Sequence, residues 1–284
     1  MKRVLSFKFF EGKTGLSIII FFLNTGCLAL KPSVLPLPNQ TVPAFYPNSN
    51  MLPSKAVNPY HFNQSDPLEI IMIGDSLAGG PIPYQLKKLL SPWPAVRFEN
   101  FFKESSSLVN NWFFDWQAQM QEILRAKIFR DNRPYDIIIV ELGANDGQAI
   151  ILQSKKMLSF GSELWQAEFE RRCLSFMKLL ASHAQTVIWL SVPPMSQPGY
   201  RERINLINHI QKLNALKVPN VYFIDLAEIL ADEKGNPCYT KIIDGKLQIL
   251  RWEDRIHLTQ TAGLLVAQRI ESLLRSIYTY EEAD

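Results

Sequence analysis

Cysteine and histidine are scarce in this chain of 284 residues, which has three cysteines and four histidines. Cys27, Cys173 and Cys238 show no CxxC spacing, and no HExxH motif is present. So few cysteines exclude a disulfide-stapled scaffold and a four-cysteine zinc site. Without a histidine ligand motif, no structural or catalytic metal is expected.

An excess of charge of one sign is absent from most of the chain. Residues 1–26 contain four basic residues and one acidic residue, whereas the remainder has 26 of each. A body without net charge lacks the basic surface that a nucleic-acid binder needs, so no nucleic-acid partner is expected.

The N-terminus has the pattern of an export signal, which we assign to residues 1–27. A basic stretch precedes the apolar run 16–23, and the small residues Thr25 and Gly26 lead to Cys27. The stretch 23–27 (LNTGC) resembles a bacterial lipoprotein signal, in which Cys27 is the lipidation candidate; simple cleavage and retention as an anchor are the alternatives. All three outcomes place the body in the periplasm or cell envelope of a bacterium, with membrane association through the N-terminus only.

Residues 28–66 are predicted to be a linker that precedes a domain at 67–284. Residues 32–67 include eight prolines and no glycine, a composition typical of an extended, semi-rigid tether. The alternative is an N-terminal arm that lies on the domain through Phe45, Tyr46 and Tyr60.

The domain alternates apolar strands with amphipathic helices. Strands are predicted at 69–73, 96–101, 136–142, 186–192 and 221–225, and helices at 82–90, 163–180, 201–216 and from 259 onward. Residues 235–252 are predicted to form an irregular excursion or a hairpin. This alternation predicts an α/β fold with a five-stranded parallel sheet covered by helices on both faces. Ligands of such sheets bind at the carboxyl ends of the strands.

Three motifs follow predicted strands or precede the last helix: GDSL at 74–77, GAND at 143–146 and DRIH at 254–257. Together they supply a hydroxyl, an amide and a carboxylate–imidazole pair. No GxGxxG or GxxxxGK[ST] motif follows the first strand, so no nucleotide cofactor is expected.

These residue types match the needs of acyl transfer. The Ser76 hydroxyl needs a base to become nucleophilic, and His257 can act as that base near neutral pH. Asp254, three residues earlier, can hold His257 in one tautomer. The backbone N–H of Ser76, expected at a helix N-terminus, and the side-chain N–H of Asn145 are candidate donors to an oxyanion.

The three motifs resemble the nucleophile, GxND and DxxH blocks of the SGNH hydrolases, also called GDSL-type esterases and lipases. The resemblance implies a three-layer α/β/α, flavodoxin-like fold and a Ser-His-Asp triad of Ser76, His257 and Asp254. The runs 105–116, 188–195 and 250–259 resemble a bacterial periplasmic subgroup of uncertain function. Related SGNH domains act on acyl groups of cell-envelope polysaccharides, which implies an envelope substrate.

One position departs from the family pattern. The second block of the family has a glycine whose backbone N–H joins the oxyanion hole, and Ser107 stands in the matching place. If the backbone there requires positive φ, the Cβ of Ser107 is strained and activity is reduced.

Trp112 and Trp116 are candidates to line a substrate pocket, with core packing as the alternative. Glu141, at the end of a buried strand, has no assigned role.

Three functions are compatible with the sequence. The first is an ester hydrolase that removes acyl groups, acetyl above all, from O-acetylated envelope glycans. The second is an O-acyltransferase that passes the acyl group from Ser76 to a sugar hydroxyl. The third is a catalytically weak binding protein of the envelope, for which Ser107 is the only support.

Overall fold

Residues 60–281 are described by the structure, a computed structural model, and their centre is a five-stranded parallel sheet. The predicted export segment, 1–27, and residues 28–59 of the predicted linker lie outside the described residues, and so do Cys27, Phe45 and Tyr46. No helix within 60–281 has both the length and the apolar character needed to cross a membrane.

Strands and helices alternate along the described chain. The strands are β1 (Tyr60–Phe62), β2 (Leu68–Gly74), β3 (Val96–Phe102), β4 (Ile137–Glu141), β5 (Ile150–Ile151), β6 (Met157–Leu158), β7 (Thr186–Leu190), β8 (Val221–Ile224), β9 (Thr240–Ile243), β10 (Lys246–Ile249) and β11 (Tyr278–Tyr280). The helices are α1 (Pro81–Leu90), α2 (Trp116–Asp131), α3 (Glu163–Ala181), α4 (Pro198–Ala215), α5 (Ala227–Leu230) and α6 (Gln260–Ile277).

The central sheet has the strand order β3-β2-β4-β7-β8. Counted along the chain, this is the 2-1-3-4-5 order of flavodoxin-like folds. The strand order reverses between β2 and β4, and ligands of open α/β sheets bind in the crevice outside the carboxyl ends at such a point. The predicted α/β class and five-stranded parallel sheet are confirmed.

Helices cover both faces of the sheet because successive strand residues point to opposite faces. Ile71 and Ile73 of β2 pack into one buried cluster with residues of α2, α3 and α4. Ile70 and Met72 pack into a second cluster with residues of α1, α5 and α6. Both clusters exclude solvent, which explains why the strands are apolar without alternation. The three-layer α/β/α architecture is confirmed.

Helix α2 is not predicted from the sequence. Its inward-facing residues include Lys127, which is buried and pairs with Glu69 and Asp131 at 2.7 Å each. Phe129, in contrast, is 93% exposed. A lysine inside and a phenylalanine outside obscure the apolar stripe by which an amphipathic helix is recognised.

The ends of the described chain pair with each other. β1 runs parallel to β11, and Phe62 is buried against the domain. Residues Tyr60–Phe62, which belong to the predicted linker, thus pair with the last described strand. Further along, β9 and β10 form an antiparallel hairpin within the predicted excursion 235–252. Cys173 and Cys238 are free thiols.

Candidate active site

The loop that carries Ser76 leaves β2 at Gly74. Gly74 has φ +155°, and a Cβ there would stand 1.7 Å from the carbonyl oxygen of Glu141 on β4, so the position requires glycine. Ser76 follows in a series of turns, whereas helix α1 begins at Pro81 with Gly80 as its N-cap. The expectation that Ser76 lies at a helix N-terminus is therefore wrong.

Ser76, His257 and Asp254 lie together. The Nε2 of His257 is 3.1 Å from the Oγ of Ser76, and its Nδ1 is 2.7 Å from the Oδ2 of Asp254. In this arrangement a proton can pass from the Ser76 hydroxyl to the imidazole while the Asp254 carboxylate orients the ring. The side chains of His257 and Asp254 are 44% and 46% exposed, so the pair is open to solvent.

A tight loop fixes the Asp254 carboxylate. Its Oδ1 accepts hydrogen bonds from the backbone N–H groups of Ile256, at 2.8 Å, and His257, at 3.0 Å. Arg255 takes the left-handed conformation, with φ +60°, that turns the chain between them. Partial burial acts to raise the pKa of Asp254, but the hydrogen bonds from the His257 side chain and from the two backbone groups outweigh it. The pKa of Asp254 is lowered, and the group is ionised at neutral pH.

The candidate oxyanion donors come from three loops. Within residues 60–281 the backbone N–H groups of Ser76 and Ser107 have no hydrogen-bond acceptor, so both are available to a ligand. The Nδ2 of Asn145 donates to the carbonyl of Ser106 at 3.1 Å, which holds this amide beside the Ser107 loop.

Ser107 does not show the backbone strain considered for this position. The left-handed residue of its loop is Ser105, with φ +60°, and Ser107 lies outside the positive-φ region. Ser107 is buried, and its Oγ accepts a hydrogen bond from the N–H of Asn110 at 3.0 Å. The serine side chain thus stabilises the loop whose N–H group is a candidate donor.

Asp146 connects the loop of Asn145 to the loop of Ser107. It is fully buried, and its Oδ1 accepts from the N–H of Val109 at 2.9 Å. Burial raises the pKa of Asp146 to about 7. This contact joins positions 37 residues apart, so no local motif predicts it.

Asp75 connects the Ser76 loop to the same Asn145 loop. Its Oδ1 accepts from the N–H of Leu77 at 3.0 Å, and its Oδ2 accepts from those of Ala144 at 3.2 Å and Gly143 at 3.4 Å. Burial raises the pKa of Asp75 to about 6, although these backbone donors oppose the shift. The three loops that carry the candidate residues are thus joined through buried carboxyl groups.

Two helix residues that sequence reasoning missed also hold these loops. Tyr200 of α4 donates from its hydroxyl to the carbonyl of Ala144 at 2.6 Å. Arg172 of α3 donates to the carbonyls of Leu108, at 3.0 Å, and Val109, at 2.9 Å. No local motif marks either residue, because each contact joins positions more than 50 residues apart.

Trp112 and Trp116 occupy different environments. Trp112 is 71% exposed in the loop after Ser107. Trp116 is buried against Phe101 and Phe114, and its Nε1 donates to the Oγ of Ser106 at 2.9 Å. Of the two candidates, Trp112 presents its ring to solvent, and Trp116 packs beneath the loop.

Two cavities flank the site loops. A cavity of about 630 Å³ reaches Ser107 and has polar walls that include Asn111, Gln117, Gln121 and Gln153. A second, of about 560 Å³, is lined by Tyr239 and by residues on either side of Asp254. Within residues 60–281, no group of three or more His, Cys, Asp or Glu side chains is arranged to hold a metal ion.

A family model described as "Protein of unknown function (DUF459)" matches residues 69–273. These residues include the central sheet except Leu68 and all of the candidate active-site residues, whereas Cys27 lies outside the match. A comparison with curated protein sequences finds no significant match.

Two solved structures illustrate the likeness in fold. One is an alpha/beta hydrolase enzyme from the metagenome of Lake Arreo, Spain, at 14% identity and TM-score 0.51, covering 74% of this chain and 96% of that chain. The other is an acetyl xylan esterase variant from Geobacillus stearothermophilus, at 15% identity and TM-score 0.50, covering 75% and 96%. At such identities the likeness concerns the fold alone.

Proposed function

The chain belongs to the DUF459 family, and from the geometry of its candidate active site we propose that it is a serine ester hydrolase. The observation that carries the proposal is the pair of contacts made by His257, which meets Ser76 through Nε2 and Asp254 through Nδ1. A surface histidine paired only with an aspartate would not also face a serine hydroxyl on a loop 181 positions away.

The reaction proceeds in two halves. The Oγ of Ser76 attacks the ester carbonyl, and its proton moves to the Nε2 of His257. His257 then gives this proton to the leaving alcohol, and the acyl group stays on Ser76. In the second half His257 takes a proton from water, whose oxygen attacks the acyl-enzyme. The bond between the acyl carbon and the Ser76 Oγ then breaks as His257 returns the proton to this Oγ, which releases the acid and restores the enzyme. Asp254, ionised, stabilises the imidazolium that forms in each half.

The oxyanion of each tetrahedral intermediate is held by N–H donors. The backbone groups of Ser76 and Ser107 are without acceptors among the described residues, and the Asn145 amide stands beside them. Donors fixed before the reaction cost no reorganisation when the charge develops.

The proposed substrate is an O-acetylated glycan of the cell envelope. The cavity that reaches Ser107 has amide-rich walls, which suit the hydroxyl groups of a sugar better than an acyl chain. The exposed ring of Trp112 offers a flat apolar face for a pyranose. One structural neighbour is an acetyl xylan esterase, an enzyme of the same substrate class.

The enzyme acts in the periplasm or cell envelope of a bacterium. The basis is the sequence of residues 1–27, with its basic, apolar and small-residue regions. Lipidation of Cys27 would attach the protein to a membrane through its N-terminus.

A second candidate function is O-acyl transfer to a sugar hydroxyl. The exposure of the His257 and Asp254 side chains, 44% and 46%, favours it, because an acceptor alcohol can reach an open imidazole in the place of water. Added acceptor sugars would divert the acyl group from water in a transferase and leave a strict hydrolase unchanged.

The test is hydrolysis of p-nitrophenyl esters from acetate to octanoate by wild type and Ser76→Ala. We expect turnover that favours acetate and that falls to the background rate in Ser76→Ala. The control is Ser182→Ala, which alters an exposed serine at the C-terminal end of α3 and should behave as wild type. Equal turnover by Ser76→Ala and wild type would overturn the proposal.

A further inference from the structure

Two buried carboxyl groups meet beneath the Ser76 loop. Gly74 pairs with Glu141 where β2 and β4 end, and the N–H of Asp75 donates to the carbonyl of Glu141 at 3.1 Å. The side chains of Asp75 and Glu141 are both fully buried, and the two residues are neighbours at the carboxyl ends of the paired strands β2 and β4. Two adjacent buried carboxylates repel each other strongly, so the pair must share a proton.

The surroundings decide which carboxyl group holds the proton. Asp75 accepts three backbone hydrogen bonds, from Leu77, Gly143 and Ala144, and these favour its ionised form. Neither oxygen of Glu141 receives a hydrogen bond from an N–H or hydroxyl donor of the described residues. Protonated Glu141 therefore finds in Asp75 an acceptor for its hydroxyl group.

We propose that Glu141 is a positioning residue of the active site: its protonated carboxyl group donates to Asp75 and so holds the Ser76 loop in register with the Asn145 loop. Asp75 is the link between the loops, since it bonds backbone groups of both. Without the donor, the buried Asp75 carboxylate would lose a partner on its Glu141 side. The role in catalysis rests on the proposed function, whereas the protonation state does not.

Other charged and titratable groups around the pair are few. Burial, followed by the Asp75 charge, raises the pKa of Glu141 well above its ordinary value, and the Arg251 guanidinium opposes this shift. Arg251 is itself held by its bonds to the carbonyls of Ile256, at 2.6 Å, and Pro194, at 2.8 Å. Asp146 and Tyr200 act on the same region from the Asn145 loop and from α4.

The test compares Glu141→Gln with Glu141→Leu in the full chain. Glutamine keeps a donor that cannot ionise, so we expect kcat within about threefold of wild type at pH 7. Leucine keeps the volume but removes the donor, so we expect kcat to fall by about tenfold or more with little change in KM. As pH rises above neutral, wild type should lose activity where Glu141 ionises, whereas Glu141→Gln should keep its activity because glutamine cannot ionise. Identical pH profiles, or equal kcat for the two variants, would overturn the proposal.

Thermal unfolding tests the protonation state independently of activity. The raised pKa of Glu141 in the folded protein means that wild type loses stability as pH rises above the ordinary glutamate range, because the unfolded chain ionises there first. Glu141→Gln lacks this loss, so its melting temperature relative to wild type should increase from pH 4 to pH 9. A constant difference over that range would contradict the inference. If wild type shows no Ser76-dependent turnover, the proposed function is wrong. The melting temperatures would still show whether Glu141 is protonated in the folded protein.

Discussion

The Oγ of Ser76 and the Nε2 of His257 lie 3.1 Å apart, although 181 positions of sequence separate them. The parallel sheet brings them together, because Ser76 follows β2 and His257 precedes α6, whose residues pack against α1. The distance between Ser76 and His257 therefore depends on how α1 and α6 pack against each other.

Replacement of Asp254 by asparagine should reduce kcat by about 10²–10⁴-fold. The asparagine oxygen can still accept from the N–H groups of Ile256 and His257, so the loop is retained. Its NH₂ group, however, faces Nδ1 and favours the imidazole tautomer that cannot accept the Ser76 proton. Ester hydrolysis and circular dichroism measure activity and fold together. Asp244→Asn, in the exposed turn between β9 and β10, is the control and should leave kcat unchanged.

Replacement of Ser107 by glycine should not raise kcat. Ser107 lies outside the positive-φ region, so glycine relieves no strain there. The variant loses the hydrogen bond from Asn110 to the serine Oγ and gains backbone freedom, which should lower the free energy of unfolding by about 1–2 kcal/mol. Urea denaturation and acetate-ester kinetics measure the two effects. Ser107→Ala is the control, because it removes the hydrogen bond of the serine Oγ without adding the backbone freedom of glycine. A tenfold gain in kcat for Ser107→Gly would show that the backbone at Ser107 is strained after all.

Much of the site could be predicted from the sequence because its residues stand in short motifs at strand ends. Parallel topology carries such ends to one edge, so Ser76, Asn145 and His257 were expected near each other. The helix predicted at 82–90 agrees with α1, but Ser76 does not lie at its N-terminus, because turns occupy the chain between Ser76 and Gly80.

The supports of the site could not be predicted in the same way. Arg172 and Tyr200 lie on helices, and their partners are backbone carbonyls of distant loops that carry no residue-type signal. Glu141 was recognisable as an unusual carboxyl group at the end of a buried strand. Its partner became evident only from the pairing of β2 with β4.

Replacement of Asp146 by asparagine should change how stability depends on pH. Burial raises the pKa of Asp146 to about 7 in the folded protein, against an ordinary value of 3.8. Wild type therefore loses stability as pH rises from about 4 to 7, because the unfolded chain releases its proton first. An asparagine at position 146 can still accept the hydrogen bond from Val109, but it cannot ionise. The free energy of unfolding of the variant minus that of wild type should therefore increase by on the order of 2–4 kcal/mol over this pH range.

Urea denaturation at pH 4 and pH 8 measures the effect of Asp146→Asn. Asp244→Asn again serves as control, because this exposed aspartate should show the same difference from wild type at both pH values. A gap between Asp146→Asn and wild type that stays constant from pH 4 to pH 8 would show that the Asp146 proton is not linked to folding.

Replacement of Trp112 by alanine should separate small esters from glycan esters. The ring is 71% exposed and packs edge-on against Phe113, so its loss should change the melting temperature little. A ring that stacks on a sugar contributes about 0.5–1.5 kcal/mol, so kcat/KM on acetylated polysaccharide should fall by about 2–10-fold. Hydrolysis of p-nitrophenyl acetate, which contains no sugar, should stay at the wild-type rate. Phe129→Ala, which removes the 93% exposed ring of α2, is the matched control. If Trp112→Ala lowers both rates equally, the ring supports the Ser107 loop and does not bind sugar.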